Sequence, residues 1–276
     1  MPFITNEQAK ETVDIHYQDY GTGQPVILIH GWPLSHRAWE HQVPAIVDAG
    51  FRCITYDRRG FGVSSAPWES YDYSALASDL NEIITQLDLN DCVIVGFSMG
   101  GGEVVRYLTD YGADRIAKAA LISSIIPLVK QKDDNPDGVP EDALTEIMQA
   151  LKNDRVGFLE GFGKNFYGYD QNKDKMSEAQ LHYDWSIAAY ASPRATIKAA
   201  EAWAETDFRP ELKNVTVPTL IVHGDADNVV PIDTAGKQAA EGIADNRYEV
   251  ISGGPHGLNV THKEELNKLL LSFLKS

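Results

Sequence analysis

The sequence alternates between short apolar runs and segments whose apolar residues have helical spacing. The runs typical of strands are PVILIHG, FRCITYD, CVIVGFS, IAKAALIS, VPTLIVHG and RYEVISGG. Helical patterns lie at 37–48, 73–87, 99–111 and 233–243, and a last helix ends the sequence. Strands that alternate with helices are joined by crossovers, which give a mostly parallel sheet covered on both faces. The pattern therefore predicts an α/β fold.

Two features at the ends of the chain add detail. An early pair of strands, at about 11–19 and 26–30, is expected to pair antiparallel at the start of the sheet. In the last helix Thr261 and Glu264 have the spacing of a capping box, ahead of apolar residues at helical spacing. We expect this helix to pack on the sheet edge.

The interval 128–212 interrupts the alternation and is rich in aromatic residues. Open α/β sheets bind ligands at the carboxyl ends of their strands. We therefore interpret the interval as a helical cap over that edge, and we predict a core domain of residues 1–127 and 213–276. Most of the aromatic residues are expected to be ordinary packing residues of the helices.

Composition excludes several classes of function. The chain has 24 Lys and Arg against 40 Asp and Glu, a net charge of −16, which repels nucleic acid and anionic lipid. No run approaches the roughly 20 apolar residues of a membrane span, and the N-terminus is too polar for a signal peptide. We expect a soluble, cytoplasmic protein with no nucleic-acid or membrane partner.

The two cysteines, Cys53 and Cys92, lie in separate apolar runs. Without a CxxC motif or a matching pair of histidines they form no plausible zinc set. Buried free thiols are predicted, and no metal site.

The segment GFSMG has the GxSxG pattern between a strand and a helix. In that setting the pattern predicts a nucleophile elbow with Ser98 at the turn. Gly96 and Gly100 are expected to leave room where the strand and the helix nearly touch. The motif does not require Gly101 or Gly102, which are interpreted as packing residues, so Gly102→Ala should be much milder than Gly100→Val.

A serine nucleophile needs a base and a carboxylate that orients the base, and after an elbow they follow in the order carboxylate, then histidine. His256 follows the last predicted strand and is the predicted base. The loop after VPTLIVHG offers Asp225 and Asp227, and the residues alone do not choose between them. His30 and His223, at strand ends, are expected to bond the backbone. No role is predicted for the other histidines, His16, His36, His41, His182 and His262.

Two backbone N–H groups should form an oxyanion hole for the charge that develops on the substrate oxygen. One belongs to Met99, the residue after the nucleophile. The second is expected in the loop after VILIHG, at Trp32, because Pro33 has no N–H.

Five motifs occur in order along essentially the whole chain: HGWPLS, TYDRRGFGVSS, GFSMGG, HGDADNVVP and GGPHGLNVTH. Together they resemble the cofactor-free bacterial haloperoxidases, or perhydrolases, and the related aryl esterases of the α/β-hydrolase superfamily. The resemblance implies an eight-stranded, mostly parallel sheet flanked by helices, with a helical cap. It also implies that Asp227 is the catalytic carboxylate and Asp225 a structural one, and it supports Trp32 and Met99 as oxyanion donors. The apolar acyl pocket that it implies is lined by Pro33, Phe97, Ile125, Val129, Val229 and Ile232.

The resemblance also implies an activity. Ser98 takes an acyl group from a short-chain ester or carboxylic acid, and water or hydrogen peroxide then releases it. With peroxide the product is a peracid that oxidises halide in solution, so neither a cofactor nor a halide site is needed. Pro33 is expected either to favour peroxide, by directing the Trp32 carbonyl into the pocket, or only to shape the loop. A homo-oligomer, such as a trimer, is expected because family members commonly form one.

Other functions fit the same residues. An aryl esterase or a lactamase with only incidental peroxidase activity would use the same triad. A small-molecule receptor with a hydrolase fold can retain the triad as well, and repeated turnover distinguishes an enzyme from it. Dehalogenases and epoxide hydrolases need Asp at the nucleophile position, where this chain has Ser98.

Overall fold

The computed structural model describes residues 2–276, and these residues form a single eight-stranded sheet. The strands are β1 (Phe3–Asn6), β2 (Val13–Tyr20), β3 (Pro25–Ile29), β4 (Arg52–Tyr56), β5 (Cys92–Phe97), β6 (Ile116–Ile122), β7 (Thr219–Gly224) and β8 (Asn246–Ile251). Their order in the sheet is β1-β2-β4-β3-β5-β6-β7-β8. The pairs β1–β2 and β2–β4 are antiparallel, and all the others are parallel. The predicted mostly parallel, eight-stranded sheet is confirmed.

Helices flank the sheet and follow the predicted alternation. They are α1 (Gln42–Asp48), α2 (Tyr73–Gln86), α3 (Gly100–Tyr111), α4 (Glu141–Phe166), α5 (Glu178–Tyr190), α6 (Pro193–Glu205), α7 (Gly236–Gly242), α8 (Leu258–Thr261) and α9 (Lys263–Leu274). Short 3₁₀-helices span His36–Trp39, Tyr169–Gln171 and Arg209–Asn214. Every residue of β5 and β7 is buried, as expected for strands covered on both faces. No helix among residues 2–276 combines the length and the apolar character needed to cross a membrane.

The expected antiparallel pairing of the early strands is wrong. Strand β2 pairs with β1 and β4, whereas β3 lies between β4 and β5. The turn between β2 and β3 packs against the start of β4, where a Cβ added to Gly21 would lie 2.7 Å from the Phe51 carbonyl oxygen. This close passage lets the chain leave β2, cross beside the start of β4 and enter the sheet between β4 and β5.

The predicted capping box of the last helix is also wrong. Thr261 ends the short helix α8, and its hydroxyl donates to the Gly257 carbonyl (3.0 Å). Helix α9 begins at Lys263, after His262, which makes no side-chain capping bond. The helix packs beside α1 and over β7, an interior strand, rather than on the sheet edge.

Three helices, α4, α5 and α6, lie between β6 and β7, inside the interval predicted as a cap. Helix α4 packs against both α5 and α6. It buries Leu144, Leu151 and Leu159, so apolar packing holds the three helices together. The boundaries of the core and cap domains stay a prediction.

The two cysteines are buried free thiols, as predicted. Burial raises the pKa of Cys53 and of Cys92 to about 12. Both thiols therefore stay protonated near neutral pH and are poor nucleophiles.

Asp184 on α5 has a buried carboxyl group, and the residue is only 5% exposed. Its Oδ1 accepts a hydrogen bond from Gln180 Nε2 (3.2 Å), whereas Oδ2 has no partner among the described residues. Burial raises the pKa of Asp184 from 3.8 to about 6. The folded state therefore keeps a proton that the unfolded chain has released, so stability falls as the pH rises through this window and stays lower above it.

We predict that Asp184→Asn stabilises the protein at pH 8 by roughly 1 to 3 kcal/mol, because the amide removes the buried charge. At pH 4, where the carboxyl is protonated, the variant should match the parent. Urea denaturation at the two pH values measures both effects, with the exposed Glu160→Gln as the control. An equal gain at both pH values would contradict the assigned cause.

Candidate active site

Ser98 occupies the turn between β5 and α3 with a φ of +53°, a left-handed conformation that is unfavourable for a residue with a Cβ. Its N–H donates to the Ile122 carbonyl of the neighbouring strand (2.9 Å), and its carbonyl accepts from the Gly101 N–H (3.0 Å). The strained conformation is therefore held from both sides, by β6 and by the first turn of α3. This is the geometry expected of a nucleophile elbow.

Gly96 and Gly100 are required by the close approach of strand and helix at this turn. A Cβ added to Gly96 would overlap the carbonyl of Gly100, and one added to Gly100 would lie 2.5 Å from the Ile29 carbonyl oxygen. Backbone atoms cannot move aside as a side chain can. Both positions therefore exclude any larger residue.

Gly102 is more tightly packed than the motif indicates, and the expectation that Gly102→Ala is much milder than Gly100→Val stays a prediction. A Cβ at Gly102 would overlap the ring of Tyr73 and lie 2.8 Å from Phe208 Cζ. Both rings are buried and pack against each other, with centroids 4.8 Å apart. Gly102 is a packing residue, as interpreted from the sequence, but the packing leaves no room for a methyl group.

We predict that Gly102→Ala lowers the free energy of unfolding by about 1 to 3 kcal/mol, because two buried rings must shift to admit the methyl group. Gly161→Ala is the matched control. It also lies in a helix, and its added Cβ meets nothing within 4 Å, so it should stabilise by up to about 1 kcal/mol. Thermal denaturation of both variants tests this, and equal melting temperatures would contradict it.

Ser98, His256 and Asp227 form a continuous chain of hydrogen bonds. The Ser98 hydroxyl lies 2.8 Å from His256 Nε2, and His256 Nδ1 lies 2.7 Å from Asp227 Oδ2. All three residues are buried, the most exposed at 6%. The other predicted candidate, Asp225, is exposed and accepts a hydrogen bond from the Gly253 N–H (2.6 Å) instead. The fold thus brings Asp227, and not Asp225, to the histidine.

The Asp227 carboxylate is held ionised by its neighbours. Burial alone would raise its pKa, but the charge of His256 and hydrogen bonds from His223 and His256 outweigh burial and lower it below the ordinary value. Its second oxygen accepts from the backbone N–H groups of Val229 (2.9 Å) and Val230 (2.8 Å). An ionised carboxylate fixes the proton of His256 on Nδ1, which leaves Nε2 free to take the proton of Ser98.

The predicted oxyanion donors lie beside Ser98. Met99 follows it directly, and a Cβ added to Gly31, the neighbour of Trp32, would lie 3.1 Å from Ser98 Cβ. Among residues 2–276 neither the Trp32 N–H nor the Met99 N–H donates to another group. The indole N–H of Trp32 donates to the Thr196 carbonyl of α6 (2.9 Å). This hydrogen bond ties the loop after β3, which carries Trp32, to helix α6.

A buried network that the sequence analysis missed supports the same loop. Arg58 donates from Nη2 to the His30 carbonyl (2.7 Å) and from Nε to Glu103 of α3 (2.6 Å). Burial lowers the pKa of His30 to about 3, so its ring is neutral. As expected, that ring bonds the backbone, to the Gly31 carbonyl and from the Arg58 N–H. A signal for it in the sequence was Glu103, an acidic residue in the first turn of α3.

A cavity of about 340 Å³ opens beside Ser98 and His256. Of the predicted pocket residues, Ile125, Val129 and Val229 line it. Trp32 lines it as well. The wall that sequence reasoning missed is Val139, Leu144, Ile147, Phe158, Phe162, Asn165, Trp203, Asn228 and Val230. Much of it comes from α4 and α6, and no local motif marks which face of those helices turns to the site.

Three predicted pocket residues lie outside the wall of this cavity. Phe97 is fully buried and packs against the His256 ring, with centroids 5.5 Å apart, so it supports the base. Pro33 lines a separate cavity of about 20 Å³, which shares Phe162 with the main one. Ile232 is half-buried in the loop before α7. Each is close in sequence to a residue of the site, but the chain turns its side chain elsewhere.

Residues 24–263 match the family model of the α/β hydrolase fold. The chain belongs to this family. A bromoperoxidase structure from Bacillus anthracis is 46% identical over all of both chains, with a TM-score of 0.95. A non-heme chloroperoxidase of Kitasatospora aureofaciens is 39% identical over 99% of each chain. A bifunctional esterase/perhydrolase of Acinetobacter calcoaceticus is 37% identical over all of both. The resemblance stated from the motifs is confirmed.

Proposed function

We propose that the protein is a serine-dependent hydrolase and perhydrolase that transfers short acyl groups from esters or carboxylic acids to water or hydrogen peroxide. The observation that carries the proposal is the unbroken chain Ser98–His256–Asp227 at the wall of an apolar cavity. Similarity to chloroperoxidases and to an esterase/perhydrolase supports the use of peroxide.

In the first half-reaction the Ser98 hydroxyl attacks the carbonyl carbon of the substrate while His256 Nε2 takes its proton. The carbonyl oxygen becomes an oxyanion, which the N–H groups of Trp32 and Met99 are placed to stabilise. The C–O bond to the leaving alcohol, or to water from a free acid, then breaks, and His256 returns the proton to that oxygen. An acyl group remains on Ser98.

In the second half-reaction water or hydrogen peroxide gives a proton to His256 and attacks the acyl carbon. Ser98 leaves and regains the proton, which releases a carboxylic acid or a peracid. The peracid transfers an oxygen atom to halide in solution and becomes the carboxylic acid again. The protein therefore needs no halide-binding site, and its net charge of −16 would repel a halide ion.

The cavity favours small uncharged acyl groups. Its wall is aliphatic and aromatic apart from Ser98, His256, Asn165 and Asn228, and no Asp, Glu, Lys or Arg of the described chain lines it. A charged acyl group would lose its hydration there without gaining a partner. The cytoplasmic location and the homo-oligomeric state stay predictions.

We predict that Ser98→Ala lowers the turnover of p-nitrophenyl acetate by at least about 10³-fold, because the nucleophile is lost. Steady-state rates at excess substrate measure this, with the exposed Ser186→Ala as the control. The parent protein should complete many rounds. A single slow round would favour a receptor over an enzyme.

We predict that Pro33→Leu lowers the ratio of perhydrolysis to hydrolysis, because leucine no longer fixes the direction of the chain after Trp32. The Trp32 carbonyl would then be less able to accept a hydrogen bond from the outer O–H of peroxide. Initial rates on phenyl acetate with and without peroxide give the ratio. An unchanged ratio leaves Pro33 with the role of shaping the loop.

Bromination tests the peracid route separately. It should depend on added acetate and disappear in Ser98→Ala. Bromination that persists without any carboxylic acid would contradict the route.

A further inference from the structure

Three side chains for which the sequence analysis assigned no function meet outside the active site. They are His16 of β2, His36 of the first 3₁₀-helix and Asp57, directly after β4. Each offers a donor atom, and all these atoms lie within 4.8 Å of one another. The histidines precede Asp57 by 41 and 21 residues, so only the fold brings them together.

Both imidazoles turn the same nitrogen toward one carboxylate. His16 Nδ1 lies 3.1 Å from Asp57 Oδ2, and His36 Nδ1 lies 2.7 Å from Oδ1. Backbone N–H groups of His36 (2.8 Å) and Val63 (3.0 Å) also donate to the carboxylate and hold it in place. His16 and Asp57 are fully buried, and the His36 side chain is 17% exposed. The cluster is therefore rigid on two sides and open on one.

We propose that His16, His36 and Asp57 bind one divalent transition-metal ion of the zinc class. Two imidazoles and one carboxylate are a ligand set typical of zinc, with water as the fourth ligand. In a tetrahedral zinc site neighbouring ligand atoms lie about 3.3 Å apart. A small closing movement of His36, the partly exposed member, would bring the three donors to that spacing. Calcium and magnesium prefer oxygen ligands and fit poorly.

Metal binding at Nδ1 requires each imidazole to carry its proton on Nε2 instead. For His16 that proton needs an acceptor, and Gln18 provides it. Gln18 Nε2 lies 2.9 Å from His16 Nε2, so a half-turn of the amide would present Oε1. The turn gives up only a long, exposed hydrogen bond from the Tyr20 hydroxyl (3.4 Å). An outer acceptor of this kind orients most metal-bound histidines.

The ion has a route from solvent. His36 lines a surface groove together with Arg37 and Glu40, whose opposite charges largely offset each other. The net charge of −16 favours cations near the protein as a whole. An ion held here would tie β2, the segment after the Trp32 loop and the end of β4 to one another, so it should stabilise the fold.

The proposal is tested by zinc titration of the EDTA-treated, full-length protein in a calorimeter, with Co²⁺ absorption as a second readout. We predict one bound equivalent and, at zinc about 100-fold above Kd, a rise in Tm of about 5 °C. His36→Asn, which can still donate to Asp57, should retain ester hydrolysis but weaken zinc binding at least about tenfold. Gln18→Leu should weaken it about tenfold. The exposed His182→Ala should bind as the parent does.

The same titration tests two other locations where zinc could bind, the catalytic triad and the surface at His182. The triad also places two histidines, His223 and His256, around one aspartate, and His256→Ala reports on it. Loss of zinc binding in His256→Ala or in His182→Ala would overturn the proposal. Unchanged affinity in His36→Asn, or no saturable binding to the parent, would overturn it as well.

Discussion

The active site depends on the close approach of β5 and α3 at Ser98. Serine does not favour the left-handed conformation found there, and the surrounding structure has to impose it. Gly96 and Gly100 allow the strand and the helix to meet backbone to backbone. The Ile122 carbonyl then fixes the Ser98 N–H. Met99 and the loop that carries Trp32 take their positions from this turn.

The buried charged groups around this turn have hydrogen-bond partners. Arg58 is buried between Glu103 and the His30 carbonyl, so the nucleophile helix and the loop before Trp32 are fixed to the same guanidinium. A buried ion pair is weak evidence for stability, because desolvation offsets the attraction. Its value here is geometric. Asp227 is likewise fixed in position, because backbone N–H groups and His256 satisfy both of its oxygens.

The sequence predicted what is local. Runs such as CVIVGF are apolar throughout because both faces of an interior parallel strand are covered, and the elbow is a motif of five consecutive residues. Prediction from the sequence failed where a residue's contacts are set by the tertiary structure rather than by the local pattern. Thr261 and Glu264 have the right spacing for a cap, but the Thr261 hydroxyl already bonds Gly257. Nothing near Gly102 indicates that Tyr73 and Phe208 close over it.

By itself the sequence determined the alternation of strands and helices in the core, the nucleophile, the base and the family. It did not separate Asp225 from Asp227 through the residues alone, because two positions in one turn have the same local pattern. The tertiary structure separates them, with Gly253 bonded to Asp225 and His256 to Asp227. The meeting of His16, His36 and Asp57 was decided in the same way. Local patterns record conformation and burial, whereas contacts across tens of residues depend on which strands become neighbours in the sheet.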